Sequence, residues 1–318
     1  MRAFVTGGTG FVGRRLVALL RARGDVVVAL VRSPARAEGL DAELVEGDLS
    51  SRERLSAAMA GADAVFHLAA DYRIGIPPRE RAAMHEANVR GTENVLDAAR
   101  DAGVARTVYV STVNAFGNTR GEIVDETYER PGGDFVSEYD RTKWLAHRAA
   151  RERIDRSDPI VIVHPGVIYG PDDRSEIGGQ LERAARGKLL FVSFGALGFN
   201  AVHVDDVAAG ILLAHDRGRL AEAYVLGGEI TTMRDAVRGS AAAAGKRPPR
   251  ITMPTALMRP LVPVGPLVGR VTGTSPNLKE LISASDGVTY WARDDKARRE
   301  LGYDPRPLAA GLADTFGR

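Results

Sequence analysis

The 318-residue chain contains no cysteine. Disulfides, thiolate nucleophiles and thiolate metal sites are therefore excluded, and redox chemistry must run through a bound cofactor. Lysine is scarce as well. Five of the 43 basic residues are lysine (Lys143, Lys188, Lys246, Lys279 and Lys296), a bias that points to the coding genome more than to a binding surface. No run of five or six like charges occurs and the formal net charge is +2, so no nucleic-acid footprint is expected despite a pI of 8.9. Long apolar runs are missing too. The most apolar late stretch, residues 256–271, carries Arg259, Arg270 and three prolines. It does not suit a membrane span and reads as a kinked cover over a pocket. Met1-Arg2 leads directly into Ala3-Phe4-Val5-Thr6, without the basic, apolar and cleavage segments of a signal peptide. A cytoplasmic protein is the expectation.

What is present describes an ordinary globular chain, with 44 % hydrophobic and 26 % charged residues. Its length suits two domains, or one with a large appendage. Apolar, β-rich runs at Ala3–Thr6, Val26–Val31, Ala64–Leu68, Thr107–Ser111 and Ile160–His164 alternate with helical patterns. That rhythm predicts an α/β fold, a doubly wound parallel sheet of the Rossmann type whose strands are apolar throughout because helices cover both faces. After Pro165 the rhythm weakens. A polar helix is expected near Glu176–Arg186, followed by a glycine-rich patch from Gly195 to Asn200; an amphipathic helix at Val204–His215 and a strand at Ala223–Leu226 bring the chain back. From Glu229 onward the pattern is helical and broken by prolines. The division expected is a dinucleotide-binding domain over 1–170, rejoined at 201–228, and a smaller, mainly helical substrate domain from 171–200 and 229–318. Long helices are expected at Pro78–Gly103 and Ser137–Ile154.

The first strand ends in Thr6-Gly7-Gly8-Thr9-Gly10-Phe11-Val12-Gly13, and a helical pattern follows. Glycines at such a turn let backbone approach a pyrophosphate, which the helix N-terminus attracts. Two registers fit, Gly8-x-Gly10-x-x-Gly13 and Gly7-x-x-Gly10-x-x-Gly13. At the end of the second strand, Arg32 stands where an NAD-specific site would place a carboxylate on the ribose hydroxyls. A guanidinium there suits a 2′-phosphate, which favours NADP and leaves NAD possible. Asp48 follows the third strand and is a candidate acceptor for the adenine amino group, or simply a turn residue. Leu68-Ala69-Ala70 offers small side chains beside the cofactor.

Tyr139 and Lys143 are four apart in a helical stretch and share a face. An ammonium near a phenol favours the phenolate and fits proton exchange with a carbonyl or alcohol. Lys143 also suits the nicotinamide ribose, and the Thr112 hydroxyl at a strand end suits the reacting oxygen. The histidines show no metal-ligand spacing, so no metal is expected. A P-loop and a Gly-x-Ser-x-Gly elbow are both missing. His203-Val204-Asp205-Asp206 reads as a helix start with acidic capping.

On these residues the chain resembles the extended short-chain dehydrogenase/reductases, also called the NAD-dependent epimerase/dehydratase family. The match runs through the glycine loop, Gly47-Asp48-Leu49 (adenine contact), His67-Leu68-Ala69-Ala70, Asn88-Val89-Arg90-Gly91-Thr92 (a structural asparagine), Ser111-Thr112-Val113, and Tyr139 with Lys143. It continues through the turn Pro165-Gly166-Val167 and the return Val202-His203-Val204-Asp205-Asp206-Val207. The resemblance implies Thr112, Tyr139 and Lys143 as catalytic residues. It implies a cofactor held by Gly7, Gly10, Phe11, Val12, Gly13, Arg32, Asp48, Leu49, Leu68, Ala69, Ala70 and Lys143, with Pro165 and Val167 on the nicotinamide side. It also implies a homodimer. Thr112 replaces the commoner serine. Gly198-Phe199-Asn200-Ala201 lacks the arginine found in many nucleotide-sugar enzymes. With Ala69-Ala70-Asp71-Tyr72-Arg73, the His-Pro-Gly turn and Arg32, it looks like the dihydroflavonol-reductase-like and hopanoid-associated epimerase-like branch.

The expected activity is NADP-dependent reduction of a small ketone or aldehyde, with no nucleic-acid or membrane partner. Alternatives are a nucleotide-sugar epimerase or dehydratase with tightly bound NAD and, more remotely, a non-catalytic NADP sensor. The substrate pocket is expected from residues 71–77, 114–117, the loop after Pro171 and the proline-broken region 253–276.

Overall fold

A computed structural model describes residues 1–264 and 277–317; the later part of the expected pocket cover, 265–276, lies outside them. Five strands and five helices come first. They are β1 (Arg2–Thr6), α1 (Phe11–Ala22), β2 (Val26–Val31), β3 (Glu43–Glu46), α2 (Arg52–Ala58), β4 (Ala64–His67), α3 (Arg81–His85), α4 (Gly91–Asp101), β5 (Arg106–Val110) and α5 (Glu138–Ile154). After β6 (Ile160–Pro165) the chain makes β7 (Val167–Tyr169), α6 (Glu176–Ala185), β8 (Phe191–Val192) and β9 (Gly198–His203). Helix α7 (Val204–Arg217) returns it to β10 (Ala223–Leu226). The rest comprises β11 (Glu229–Thr232), α8 (Met233–Ala243), β12 (Ile251–Thr252), α9 (Thr255–Met258), α10 (Leu278–Ser285), β13 (Thr289–Tyr290), α11 (Asp295–Leu301) and α12 (Leu308–Phe316).

Seven strands form one parallel sheet in the order β10-β6-β5-β4-β1-β2-β3. Both faces are covered, as the unbroken apolar strands predict. Leu16, Val17 and Ile211 of α1 and α7 pack with Val5, Phe66 and Val161 on one face. On the other, Leu55 and Val95 of α2 and α4 pack with Phe4, Val28 and Val65, and α5 adds Ala146 and Ala150 against Tyr109 and Ile162. The strand order reverses between β1 and β4, and at such a switch point loops diverge at the carboxyl ends to leave a crevice.

Two expectations change. The glycine-rich patch, where no strand is expected, ends in one: β9 is buried throughout and pairs with β7, β11 and β13 in a second, small sheet. Gly198 permits this because a β-carbon there would meet the Trp291 ring at 2.7 Å. The helix expected over 78–103 is interrupted by a π-turn at Glu86–Arg90, between α3 and α4, which carries buried Asn88.

Candidate active site

The parallel sheet brings the ends of β1, β2, β3, β4, β5 and β6 to one edge, and the sequence-predicted residues gather there. Gly7 has φ +75°, and a β-carbon on it would lie 2.7 Å from the Ala69 backbone nitrogen. Gly13 is tighter still, with its β-carbon 2.1 Å from the Gly7 carbonyl oxygen; Gly10 would meet the same oxygen at 3.1 Å, while Gly8 would make ordinary contacts from 3.5 Å outward. Packing therefore enforces the Gly7, Gly10, Gly13 register. Gly10 begins α1 without a side-chain cap, so the N–H groups of Phe11, Val12 and Gly13 form an uncapped helix start of the kind that receives a pyrophosphate. This cradle fits a dinucleotide.

A directed hydrogen-bond chain fixes the neighbouring loop. Ala69 N donates to Thr6 Oγ1 (3.3 Å), which donates to His67 Nδ1 (2.7 Å). His67 Nε2 donates to Thr92 Oγ1 (3.0 Å), and Thr92 donates to the Asn88 carbonyl (2.7 Å). The carbonyl can only accept, which sets every proton along the chain. Burial lowers the pKa of His67 to about 3, so it stays neutral. The Asn88 side chain accepts from Asp71 N (2.6 Å) and donates to the Asp71 carbonyl and Thr142 Oγ1 (3.0 Å each), tying the segment after Ala70 to α5.

Arg32 is exposed at the end of β2. Asp48 Oδ1 accepts from the Ser50 N–H and hydroxyl at 2.9 and 2.5 Å, and these bonds lead the effects that hold its carboxyl below the usual range, with Arg32 contributing. Asp48 is thus a turn residue whose other oxygen takes no bond to the described residues. Leu49 packs on Gly91, where a β-carbon would lie 2.9 Å from it. Leu68 and Ala69 are half-buried and Ala70 exposed. Pro165 ends β6, and Val167 begins β7 opposite Ala201.

Ser137 caps α5 by accepting from Asp140 N at 3.0 Å, which sets the start of the helix that carries Tyr139 and Lys143. Both side chains are buried, as is Thr112. Thr112 Oγ1 donates to Asn114 Oδ1 and accepts from Asn114 N, each at 3.2 Å. Burial raises the Tyr139 phenol well above its ordinary value, and the Thr112 hydroxyl acts in the opposite sense. Burial lowers Lys143 to about 8; its ammonium donates to the Val110 carbonyl at 3.3 Å and sits 5.3 Å from the Tyr109 ring centre. Burial thus opposes the shift of Tyr139 towards phenolate that its spacing from Lys143 suggests. Desolvation is the largest influence on the phenol and favours its neutral form.

Sequence reasoning missed several supports. Arg130 and Asp140 form a buried ion pair beside Tyr139, Asn114 anchors Thr112, and the Tyr72 ring stands edge-on to Tyr139 at 4.9 Å. Only Tyr72 and Asn114 fell within the segments expected to line the pocket. Helix α7 starts at Val204 as expected, with Asp205 and Asp206 in its first turn, but the side-chain cap is His203, which accepts from Asp205 N at 3.3 Å and approaches Asp314 at 3.8 Å. Arg306 already pairs with Asp314 and with Asp206. Among the described residues, no helix is long and apolar enough to cross a membrane.

The chain belongs to the NAD-dependent epimerase/dehydratase family, whose profile matches residues 3–227. It is an NAD(P)-dependent enzyme of the extended short-chain dehydrogenase/reductase type, within a family that acts on small molecules. One relative is the 4-hydroxy-2-methyl-3-oxo-4-farnesyl-3,4-dihydroquinoline-1-oxide ketoreductase of Stigmatella aurantiaca, 35 % identical over 322 residues, covering 96 % of this chain and 92 % of the relative. The crystal structure of gox2253 is similar with a TM-score of 0.80 and 34 % identity, covering 98 % of this chain and 96 % of that one. The dTDP-glucose 4,6-dehydratase DesIV of Streptomyces venezuelae, solved with NAD bound, is similar with a TM-score of 0.76 and 26 % identity, covering 99 % and 96 %.

Proposed function

We propose that this chain is an NADP-dependent carbonyl reductase in which Thr112, Tyr139 and Lys143 are the catalytic residues. The observation that carries the reading is the buried pair of hydroxyls: Tyr139, kept as a neutral phenol, beside Thr112, at the strand edge that holds the glycine cradle. A bound nicotinamide nucleotide supplies hydride to the carbonyl carbon. Thr112 donates a hydrogen bond to the carbonyl oxygen, Tyr139 gives that oxygen its phenolic proton, and the Lys143 ammonium stabilises the phenolate left behind. Lys143 also holds the nicotinamide ribose. Gly7, Gly10 and the first turn of α1 take the pyrophosphate, Arg32 the 2′-phosphate, and Asp48 and Leu49 the adenine. Leu68, Ala69, Ala70, Pro165 and Val167 line the remainder. Residues 171–200 and 229–318 act as the substrate domain.

The similarity to a ketoreductase over nearly the whole chain supports reduction. Tyr72 over Tyr139 supports a ligand with a flat or apolar body next to its carbonyl. The similarity to an NAD-bound dehydratase favours a second reading, a nucleotide-sugar epimerase or dehydratase that regenerates its cofactor. A panel of aryl and alkyl ketones assayed by NADPH consumption separates the two. The expected result is net oxidation of NADPH, reduced at least ~100-fold by Tyr139→Phe with NADPH affinity retained. Full activity of that variant overturns the assignment.

A further inference from the structure

Two histidines at the active site have no part in the proposed mechanism. His147 lies on α5 four residues beyond Lys143, on the face shared with Tyr139. His164 lies on β6, and the two ring centres are 4.9 Å apart with planes inclined at 56°. Nδ1 of His147 and Nε2 of His164 are both buried and bonded to nothing among the described residues. Buried polar atoms are nearly always paired, so two orphans in touching rings need an explanation.

The tautomers follow from the one bond that is made. His164 Nδ1 lies 3.1 Å from the carbonyl oxygen of Thr112. A carbonyl only accepts, so His164 holds its proton on Nδ1 and presents a bare lone pair at Nε2. Beside it lies the His147 ring, whose buried Nδ1 is likewise unpaired. A linear N–H···N bond of about 3 Å sets imidazole centres about 5 Å apart, so the two rings are within reach of each other, although the two nitrogens make no bond as the rings stand. On its other side the His164 ring packs on Phe116, with centres 4.7 Å apart, and Phe116 ends the short turn that Thr112 begins.

We propose that His147 donates its Nδ1–H to Nε2 of His164, and that this neutral dyad is a positioning element which fixes the Thr112 backbone and thereby aims its hydroxyl at the reacting oxygen. The order is His147 Nδ1–H to His164 Nε2, then His164 Nδ1–H to the Thr112 carbonyl. The dyad must stay uncharged, because a proton on His164 Nε2 removes the acceptor and sets two N–H groups against each other. Its surroundings enforce this. Burial leads in lowering both pKa values, His147 to about 4 and His164 well below its ordinary value, and the Lys143 and Arg151 cations of α5 act in the same sense. Sequence spacing suggested no such pair, since His147 and His164 meet only when α5 lies against β6.

The role of the dyad rests on the reductase reading, so the test has one arm independent of any substrate. Nitrogen NMR of the wild-type full chain, labelled in its imidazoles and titrated from pH 7 to pH 5, reads tautomer and charge directly. The expected result is an Nδ1–H tautomer for both residues, the form an isolated histidine side chain disfavours, with neither titrating above pH 5. An Nε2–H tautomer at either residue, or a midpoint near the ordinary 6.5, overturns the dyad. The second arm uses His164→Phe, which keeps a ring against Phe116 but has no N–H, and His164→Asn, which restores an N–H where Nδ1 stood. With a ketone that the wild type reduces, kcat is expected to fall about tenfold in the phenylalanine variant and largely recover in the asparagine variant, with NADPH affinity constant. Equal rates in the two variants overturn the positioning role. A wild type that reduces no ketone defeats the reductase reading and leaves the NMR result to decide the dyad.

Discussion

Arg130 places its two terminal nitrogens 2.6 and 2.9 Å from the carboxylate of Asp140, the residue next to Tyr139, and both side chains are almost wholly buried. The Val136 N–H adds a third bond at 3.0 Å, so the segment after Gly117 is fastened to the first turn of α5. Gly117 has φ +75° and leaves room for the guanidinium, which a β-carbon would meet at 2.7 Å.

Removing one partner leaves the other charge buried and unmatched. Arg130→Ala is therefore expected to cost about 3–5 kcal/mol in urea denaturation, whereas Arg130→Met combined with Asp140→Leu regains most of that loss. A single-variant loss below about 1 kcal/mol would refute the role assigned to the pair.

The glycine loop gives a position-by-position prediction. Gly13→Ala forces a β-carbon to within 2.1 Å of the Gly7 carbonyl, and Gly7→Ala adds positive-φ strain to a clash with Ala69. Both variants are expected to lose measurable nucleotide binding in a fluorescence titration, and Gly8→Ala to keep it within a few-fold of wild type.

Arg32 decides the cofactor on this account. A charge-assisted bond to a phosphate contributes roughly 1.5–3 kcal/mol, so Arg32→Ala is expected to weaken NADPH about 10- to 100-fold and leave NADH unchanged. Parallel titrations with the two nucleotides check it, and an equal loss for both removes the case for 2′-phosphate recognition.

Buried neutral histidines set an acid-side limit on stability. His67 and His147 are lowered to about 3 and about 4, from an ordinary value of 6.5. Below pH 6.5 the unfolded chain binds protons that the folded chain refuses, so stability falls as pH drops from 6.5 towards 4. Urea midpoints measured across that range are expected to decline, with a shallower slope in His147→Phe. Identical slopes for the two proteins would contradict the burial argument.

The sheet was legible because covered parallel strands are written as unbroken apolar runs, and the switch-point site because its glycine turn and Tyr139–Lys143 spacing are local signals. Strand β9 was hidden by Gly195 and Gly198, whose purpose becomes visible only when Trp291 packs on the latter. The π-turn at Asn88 was hidden because its residues suit a plain helix equally well, and what matters there is Asn88 reaching both Asp71 and Thr142. Arg130 with Asp140, Thr6 with His67 and Thr92, and His147 with His164 are tertiary pairings with no fixed spacing. The influence of Lys143 on Tyr139 is legible in their spacing, whereas the desolvation that opposes it depends on how deeply the pair is buried, which spacing does not reveal.

Isotope tracing reads net hydride transfer assisted by Tyr139 without reference to any coupled assay. The protein is incubated with a ketone and NADPH deuterated at the transferable position, and the organic product is read by mass spectrometry. One deuterium is expected on the new carbinol carbon for each NADP formed, and none with Tyr139→Phe. An unlabelled, isomerised or dehydrated product with the nucleotide unchanged would contradict net hydride transfer and identify an enzyme that recycles its cofactor in place.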